Sequence, residues 1–291
     1  MKGVETLNPS AAVKLLSELT AQPYRLVGRL PGGESGAHEI RGPDGSRLVA
    51  KWALDPISQE ARRVAVELTG RLHDDAAWPV PDQRIVESDT CLFVLQEFLP
   101  GHPVRILTNL MLARVLELHR ARIGLARPED KSTWPDTLIQ TLTIGGDGYC
   151  LHSSLRNYDH RTARLLDRIV EIGRGVEPTD LRGGDIVYWD LHSGNLLQRD
   201  GRLMGIVDTD FVKVGDAAFD LATLAVSALA IECESGVREQ LFELAIEPLD
   251  EARRYAYVGH LLLRILDWPI RYSRTGEVEF WLSQCDRLLS A

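Results

Sequence analysis

The 291 residues are enough for one large domain or two modest ones, each with an ample core. Apolar residues make up 44% and charged residues 26%, which are ordinary values for a water-soluble globular protein. The formal net charge of -9 argues against nucleic acid or an anionic membrane as a partner, because both are bound by basic patches, and it suits a cationic small molecule.

The four cysteines are scattered, without a C-x-x-C pair or a histidine at ligand spacing, which argues against a zinc site. The N-terminus lacks a basic region followed by an apolar run and a cleavage site. The longest apolar stretch, Leu221 to Ile231, is too short to span a bilayer. We therefore expect a cytoplasmic protein, monomeric or dimeric.

The first predicted element is a short helix, which Asn8 caps and in which Pro9 takes the first helical position. From Tyr24 to Trp52 apolar and polar residues alternate, and Pro43-Asp44-Gly45 is a turn signal. This pattern predicts three antiparallel strands.

A glycine-rich segment, residues 31–36, lies between the first two strands, and its glycines would let backbone amides approach phosphate oxygens. Lys51 closes the third strand in an apolar context, so an inward-facing ammonium needs a counter-charge. The helix predicted over residues 58–68 offers Glu60 as the preferred partner and Glu67 as the alternative.

Two more strands are predicted over Arg84–Glu87 and Cys91–Phe98, and the remainder is mostly helical in its apolar spacing, with residues 130–148 loop-like. A small part rich in strands followed by a larger helical part predicts an α+β fold. The predicted division is residues 1–99 as a small N-terminal lobe and residues 100–291 as a larger C-terminal lobe.

Two further strands, predicted over Asp185–Trp189 and Leu203–Val207, each end at a polar cluster, and an Asp-Gly signal between them predicts a hairpin turn. Asp190 and Asn195 follow the first strand and Asp208 follows the second. Carboxylates and an amide on loops between strands commonly hold a divalent cation and a nucleophilic hydroxyl. Their order is the one in which kinases place a catalytic base and two magnesium ligands.

The run Gly215-Asp216-Ala217-Ala218-Phe219-Asp220-Leu221-Ala222 completes this stretch. The whole resembles the aminoglycoside phosphotransferase and choline kinase-like family, whose signature is His-Gly-Asp, then Asn, then Ile-Asp, then Gly-Asp-Pro-x-x-Asp-Leu-Ala. The resemblance covers roughly residues 24–290. Tyr188 and Trp189 stand where the family has His and Gly, and Ala217 where it has Pro. We expect these departures to alter the scaffold of the loop and not its chemistry.

The resemblance implies a bilobal protein kinase-like fold, with an antiparallel sheet and a helix in the small N-lobe and a mainly helical C-lobe. It also implies ATP and Mg²⁺ as cofactors, with GTP left open. Asp190 would be the catalytic residue, Asn195 and Asp208 the metal ligands, and Lys51, fixed by Glu60, the phosphate-binding cation. The other expected nucleotide contacts are Gly33, Ser35 and Gly36, and the main chain of Gln96, Glu97 and Phe98.

Three residues receive structural roles. In the family the counterpart of Asp220 braces the catalytic loop by accepting hydrogen bonds from its backbone. Tyr188 is expected to pack beneath that loop. His119 ends a predicted core helix, and we expect its imidazole to be buried and hydrogen-bonded.

Beyond Ala225 acidic residues outnumber basic ones and are interleaved with aromatic residues. Carboxylates beside aromatic rings suit a polycationic ligand, although the same residues could form a solvated helix face. The candidate substrate contacts are Asp210, Glu232, Glu234, Asp267 and Trp268.

The sequence thus predicts an ATP-dependent O-phosphotransferase acting on a hydroxyl of a small cationic antibiotic, an aminoglycoside or a basic peptide antibiotic, and conferring resistance. One alternative keeps the chemistry and takes a metabolite such as a sugar, an amino alcohol or homoserine. Another is a catalytically silent kinase-like binding module, against which the intact Lys51, Asp190, Asn195 and Asp208 argue.

Overall fold

The computed structural model describes residues 7–30 and 36–290. The strands are β1 Arg25–Arg29, β2 His38–Arg41, β3 Arg47–Ala53, β4 Gln83–Glu87, β5 Leu92–Glu97, β6 His102–Pro103, β7 Ile106–Leu107, β8 Asp185–Val187, β9 Leu196–Arg199, β10 Arg202–Ile206, β11 Lys213–Gly215 and β12 Glu232–Cys233. The helices are α1 Pro9–Thr20, α2 Pro56–Ala76, α3 Asn109–Ala121, α4 Trp134–Thr143, α5 His152–Tyr158, α6 His160–Gly175, α7 Ala218–Ser227, α8 Val237–Ala245, α9 Glu251–Arg271 and α10 Thr275–Ser290. The α+β fold class is confirmed.

The chain forms two compact units. The first comprises the described residues up to Val104 together with Gly194–Lys213, and the second comprises Arg105–Ser193 and the chain from Val214 onward. The predicted division after residue 99 lies near the first of these boundaries. The sequence analysis did not separate residues 194–213 from their flanking chain.

The first unit is built on an antiparallel sheet of five strands in the order β1-β2-β3-β5-β4. Helix α1 begins as predicted, because the Asn8 side chain accepts a hydrogen bond from the Ser10 N–H at 2.9 Å and Pro9 follows it. Its apolar face packs on the sheet, where Leu16 joins a core with Phe93 and Leu95. Because side chains alternate along a strand, the β5 residues on either side of Phe93 and Leu95 face away from this core.

Helix α2 begins two residues earlier than the sequence analysis expected. The Asp55 side chain caps it by accepting a hydrogen bond from the Ser58 N–H at 2.8 Å, and Pro56 occupies its first turn. The inward side of the helix carries small and apolar residues, among them Ala65, Leu68 and Leu72.

The predicted Asp-Gly turn joins β9 and β10, and both Asp200 and Gly201 have positive φ angles, as a tight hairpin turn requires. The hairpin pairs Leu196 with Ile206, and β6 adds to its other edge. The other predicted strand, β8, lies outside the hairpin and pairs with β11.

The second unit is mostly helical. The prediction that residues 130–148 form a loop is wrong, because α4 occupies Trp134–Thr143. Trp134 is fully buried and meets the ring edges of Phe219 and Tyr257 at centroid distances of 5.2 and 5.9 Å. Throughout the described chain, helices long and apolar enough to cross a bilayer are absent.

Candidate active site

Lys51 is held inside the first unit by two carboxylates. Its side chain is 5% exposed, and its Nζ donates to Asp208 Oδ1 at 2.8 Å and to Asp210 Oδ1 at 3.0 Å. Burial by itself would lower the pKa of Lys51, but the charges of Asp210 and Asp208 raise it above its ordinary value. The ammonium is therefore charged at neutral pH.

The expected pairing of Lys51 with Glu60 does not occur. The Glu60 side chain is 70% exposed and pairs with Arg63 on the same helix at 3.2 Å. Glu67, the alternative partner, is exposed as well. Ala65, Leu68 and Leu72 occupy the inward side of α2, and both glutamates lie outside that side and are exposed.

Arg62 is the charged residue of α2 that contacts Asp210. Its Nη1 donates to Asp210 Oδ2 at 3.0 Å, and its side chain is 12% exposed. Asp210 is 7% exposed and so lies between two cations, which hold its pKa below the ordinary value although burial alone would raise it. Asp210 was predicted as a substrate contact, and the structure places it in a buried ion-pair network.

Asn195 and Asp208, the predicted metal ligands, lie at the same end of the β9–β10 hairpin. The Val207 N–H donates to the Asn195 carbonyl at 3.0 Å, which fixes the backbone between them. Asp208 has a φ of 64° and a side chain that is 31% exposed, whereas Asn195 is 8% exposed. A carboxylate and an amide are hard oxygen donors of the kind that Mg²⁺ accepts.

These donors fit magnesium bound together with a nucleotide. Among the described residues, groups of three or more His, Cys, Asp or Glu side chains arranged to hold a metal are absent. Mg²⁺ is typically bound by one or two protein oxygens, with substrate phosphates and waters completing the octahedron. Asp208 and Asn195 would supply those protein oxygens.

The glycine-rich segment can be described only in part. Gly33 and Ser35 lie outside the described residues. Gly36 has a φ of 68°, and the Leu30 N–H donates to the Ala37 carbonyl at 2.9 Å across the base of the segment. The predicted phosphate contacts here stay a prediction.

The segment predicted to contact adenine lies at the end of β5. The Glu97 N–H donates to the Asp82 carbonyl at 2.9 Å and the Phe98 N–H to the Arg47 carbonyl at 3.4 Å. These two donors are engaged within the first unit, and the predicted contacts with adenine stay a prediction. Gln96 is buried and pairs with Val49 in the sheet.

In the second unit, Asp190 is held by an arginine that the sequence analysis missed. Arg264 Nη2 donates to Asp190 Oδ1, and Arg264 Nη1 donates to the Trp189 carbonyl at 3.0 Å. His192 Nε2 lies 3.3 Å from the same carboxylate oxygen. The sequence does carry a signal for Arg264, because it interrupts the apolar run from Leu261 to Leu266 on α9.

Asp220 lies beneath the loop that carries Asp190. Its carboxylate accepts hydrogen bonds from the Tyr188 and Trp189 N–H groups, each at 2.7 Å, and from the guanidinium of Arg122. Arg122 also donates to the carbonyls of Ile186 and Ala217. Because Asp220, Arg122 and Tyr188 are fully buried, this network fixes the backbone just before Asp190.

Trp189 occupies a backbone conformation that favours glycine. Its φ is 78°, a left-handed value that costs a side-chain-bearing residue about 1–2 kcal/mol. The indole stacks on Phe219 at 4.9 Å and meets Trp134 edge-on at 5.5 Å. Aromatic packing and the hydrogen bond to Asp220 thus offset the strain that the related family avoids with glycine.

Most of the other predicted substrate residues have partners within the second unit. Asp267 is buried, and its Oδ2 accepts from Arg271 Nε at 3.1 Å. Glu234 accepts from the Asn109 N–H at 2.8 Å, at the start of α3. Trp268 packs against the guanidinium of Arg274 at 4.3 Å. Glu232 differs from these residues because it is exposed on β12. Asp267 and Glu234 therefore act in the structure as an ion-pair partner and a helix cap.

Two other polar side chains have structural roles. His119 Nδ1 lies 3.0 Å from Arg122 Nη2, and burial lowers the pKa of His119 to about 3. The imidazole is thus neutral and hydrogen-bonded, as expected. Asp216 accepts from the Ala218 N–H at 2.9 Å at the start of α7, and also from Tyr257 and Arg253.

Several solved structures share the fold of this chain. A thermostable mutant of aminoglycoside phosphotransferase APH(4)-Ia, in ternary complex with ADP and hygromycin B, is 18% identical, with a TM-score of 0.61 over 96% of this chain and 98% of that chain. A putative fructosamine-3-kinase from Thermobifida fusca YX-ER1 is 19% identical, with a TM-score of 0.60 over 98% and 100%. An amicoumacin kinase with AMP-PNP, Ca²⁺ and its substrate is 14% identical, with a TM-score of 0.58 over 97% and 94%. At these identities the likeness concerns the fold, which is the bilobal kinase-like fold expected from the sequence.

The profile of the phosphotransferase enzyme family matches residues 27–257. This is most of the chain, and the chain belongs to that family as a small-molecule phosphotransferase. A search of curated proteins gave no match. The expectation of ATP and Mg²⁺ agrees with the family and with the ADP, AMP-PNP and Ca²⁺ of the neighbouring structures.

Proposed function

We propose that this phosphotransferase transfers the γ-phosphate of ATP to a hydroxyl of a small molecule, with a cationic antibiotic as the first candidate acceptor. The observation that carries the nucleotide part is the buried contact of Lys51 with Asp208 at 2.8 Å. It brings a phosphate-binding cation on β3 together with a magnesium-binding carboxylate that follows β10. Phosphoryl transfer requires positioning and charge neutralisation, and this pair would serve both.

Within the first unit, Lys51 would bind the nucleotide phosphates, and Asn195 and Asp208 would supply the magnesium ligands. Bound Mg²⁺ neutralises charge that develops on the transferred phosphoryl group. Asp208 Oδ1 contacts Lys51, and a carboxylate has a second oxygen with which it can bind a metal. The 31% exposure of this side chain allows that approach.

Within the second unit, Asp190 would accept the proton of the acceptor hydroxyl. The hydroxyl oxygen forms its bond to the γ-phosphorus as the bond from that phosphorus to the β–γ bridging oxygen breaks, and the proton passes to Asp190. Arg264 donates to Oδ1 and so holds the carboxylate in place. Asp220 supports this role indirectly by fixing the backbone of residues 188 and 189.

A metabolite is the second candidate acceptor, and one observation favours it. Asp210 and Asp267, two of the carboxylates predicted to bind a cationic substrate, are buried and paired with arginine or lysine. A guanidinium, that of Arg264, also adjoins Asp190. A neutral sugar or an acceptor with its own anionic group would suit these charges, whereas the net charge of -9 and the exposed Glu232 favour a cation.

Mass spectrometry of acceptors incubated with the protein and Mg-ATP tests this function. The panel would contain aminoglycosides, basic peptide antibiotics, ketosamines, sugars and amino alcohols, each also incubated with Asp190→Ala. A gain of one phosphoryl group that is absent with the variant would support the proposal and identify the acceptor class. Failure of the wild-type protein to bind Mg-ATP in calorimetry would refute it.

Lys51→Ala and Asp190→Ala separate the two roles. Lys51→Ala should weaken nucleotide binding, because the variant lacks the cation that faces the phosphates. Asp190→Ala should abolish transfer while leaving nucleotide affinity within about twofold, because this side chain contacts the acceptor. Equal loss of ATP binding in both variants would contradict the division of roles.

A further inference from the structure

The helix beside the phosphate-binding lysine directs a cation toward it. The side chain of Arg62 on α2 is 12% exposed and reaches Asp210, whereas Glu60, the carboxylate predicted to pair with Lys51, is 70% exposed. Lys51 and Arg62 would repel each other in this poorly solvated interior. A lysine in this setting needs a carboxylate from another part of the chain.

Asp210 supplies that carboxylate to both cations. Its Oδ1 accepts from Lys51 at 3.0 Å and its Oδ2 accepts from Arg62 at 3.0 Å, so each oxygen has a different cation. The three side chains are only 5%, 7% and 12% exposed, and charge-assisted hydrogen bonds of this kind are strong and directional. The arrangement fixes Lys51 relative to α2 through Asp210.

The sharing of Lys51 between Asp208 and Asp210 has a further effect. If Asp208 were the sole counter-charge, it would have to neutralise a buried ammonium and bind a metal with the same carboxylate. Asp210 provides a second counter-charge and is itself neutralised by Arg62. Asp208 thus keeps capacity for another cation.

We propose that Asp210 and Arg62 are positioning residues for Lys51. Arg62 on α2 binds Asp210 and Asp210 binds Lys51, and we call this chain of two ion pairs the relay. The relay takes the place of a glutamate on the helix that would bind the lysine directly. The inference rests on the proposed role of Lys51 in binding nucleotide. Asp210 is accordingly assigned to the nucleotide side of the reaction, and Glu60 has no part in it.

Calorimetry of ADP binding without magnesium tests the relay, because it requires neither metal nor acceptor. Asp210→Asn should raise the dissociation constant roughly tenfold to a hundredfold, since one charge-assisted hydrogen bond to Lys51 is lost and Arg62 is left unpaired. Arg62→Met should weaken binding by several-fold, and Arg62→Lys should restore most of the affinity because it retains a cation beside Asp210.

Two variants on the exposed side of α2 are the matched controls. Glu60→Gln and Arg63→Met change charges on the same helix without touching the relay, and both should bind ADP within about twofold of the wild-type protein. Thermal unfolding of each nucleotide-free variant identifies proteins that have failed to fold. If Asp210→Asn does not fold, the comparison of Arg62→Met with Arg62→Lys decides.

The outcomes separate this inference from the proposed function. Wild-type affinity in folded Asp210→Asn and Arg62→Met, or a tenfold loss in Glu60→Gln, would overturn the relay while leaving the kinase assignment in place. Absence of ADP and Mg-ATP binding in the wild-type protein would instead overturn the assignment itself. Weakened binding in the relay variants, with recovery in Arg62→Lys and no change in the controls, would establish the relay.

Discussion

Replacing Asp220 by asparagine should destabilise the second unit severely while changing almost no volume. The carboxylate accepts from two backbone N–H groups and from Arg122, and both charged side chains are fully buried. The asparagine side chain keeps one carbonyl oxygen as an acceptor, but its NH2 group replaces the second carboxylate oxygen. That NH2 group would face N–H donors that need an acceptor. Breaking a buried ion pair by removal of one partner costs about 3–5 kcal/mol, so we expect a loss of that size.

Urea unfolding monitored by tryptophan fluorescence measures this loss, because Trp134 and Trp189 lie close to the substitution. The matched control is Asp167→Asn, which makes the same change in the surface pair of Asp167 with Arg156, where the side chains are 64% and 48% exposed. The control should leave the unfolding midpoint unchanged within error, since exposed pairs contribute little. A loss below about 1 kcal/mol in Asp220→Asn would refute the assigned network.

Three further outcomes are expected. Gly215→Ala would place a Cβ 2.3 Å from a ring carbon of Trp134, and this overpacking should cost about 1–3 kcal/mol in urea unfolding; a neutral effect would contradict the packing. Arg264→Met should lower kcat at least tenfold with unchanged ADP affinity, because Asp190 loses its orienting partner, whereas Arg264→Lys should retain more activity. Burial lowers the pKa of His119 to about 3, so between that pH and its unfolded value near 6.5 only the unfolded chain binds the proton and stability falls as pH falls. From about pH 7.5 to pH 5 the wild-type protein should lose about 2 kcal/mol more than His119→Gln, and equal losses would contradict the shift.

The sequence predicted correctly those helices, turns and strands that depend on residues adjacent in the chain. The cap and proline of α1, the Asp-Gly turn and the alternating strands around Lys51 each depend on a few neighbouring residues, and each formed as expected. Helix α4 lies within residues 130–148, which the sequence predicts as a loop that contains Pro135. Proline is well tolerated in the first helical turn, and this is where Pro135 lies.

The partner of Lys51 could not be derived from local sequence. Arg62 and Lys51 carry the same charge, so neither is expected near the other unless a carboxylate lies between them. That carboxylate belongs to Asp210, which is far away along the chain. The cap of α2 at Asp55 lies three residues before the predicted start of the helix. Arg264 presents the same difficulty, because its partner Asp190 precedes it by many residues and on another element.

The order of the two units along the chain has a consequence for synthesis on the ribosome. The first unit is interrupted after Val104 and resumes at Gly194, and its later part contributes β9, the partner of β6, and the carboxylates that pair with Lys51. At about 5–20 residues per second, roughly 5–20 s pass between the emergence of Val104 and that of Lys213. During that interval Lys51 has been synthesised but the two aspartates that neutralise it have not. The N-terminal part of the chain therefore cannot reach its final structure until much of the helical unit has been made.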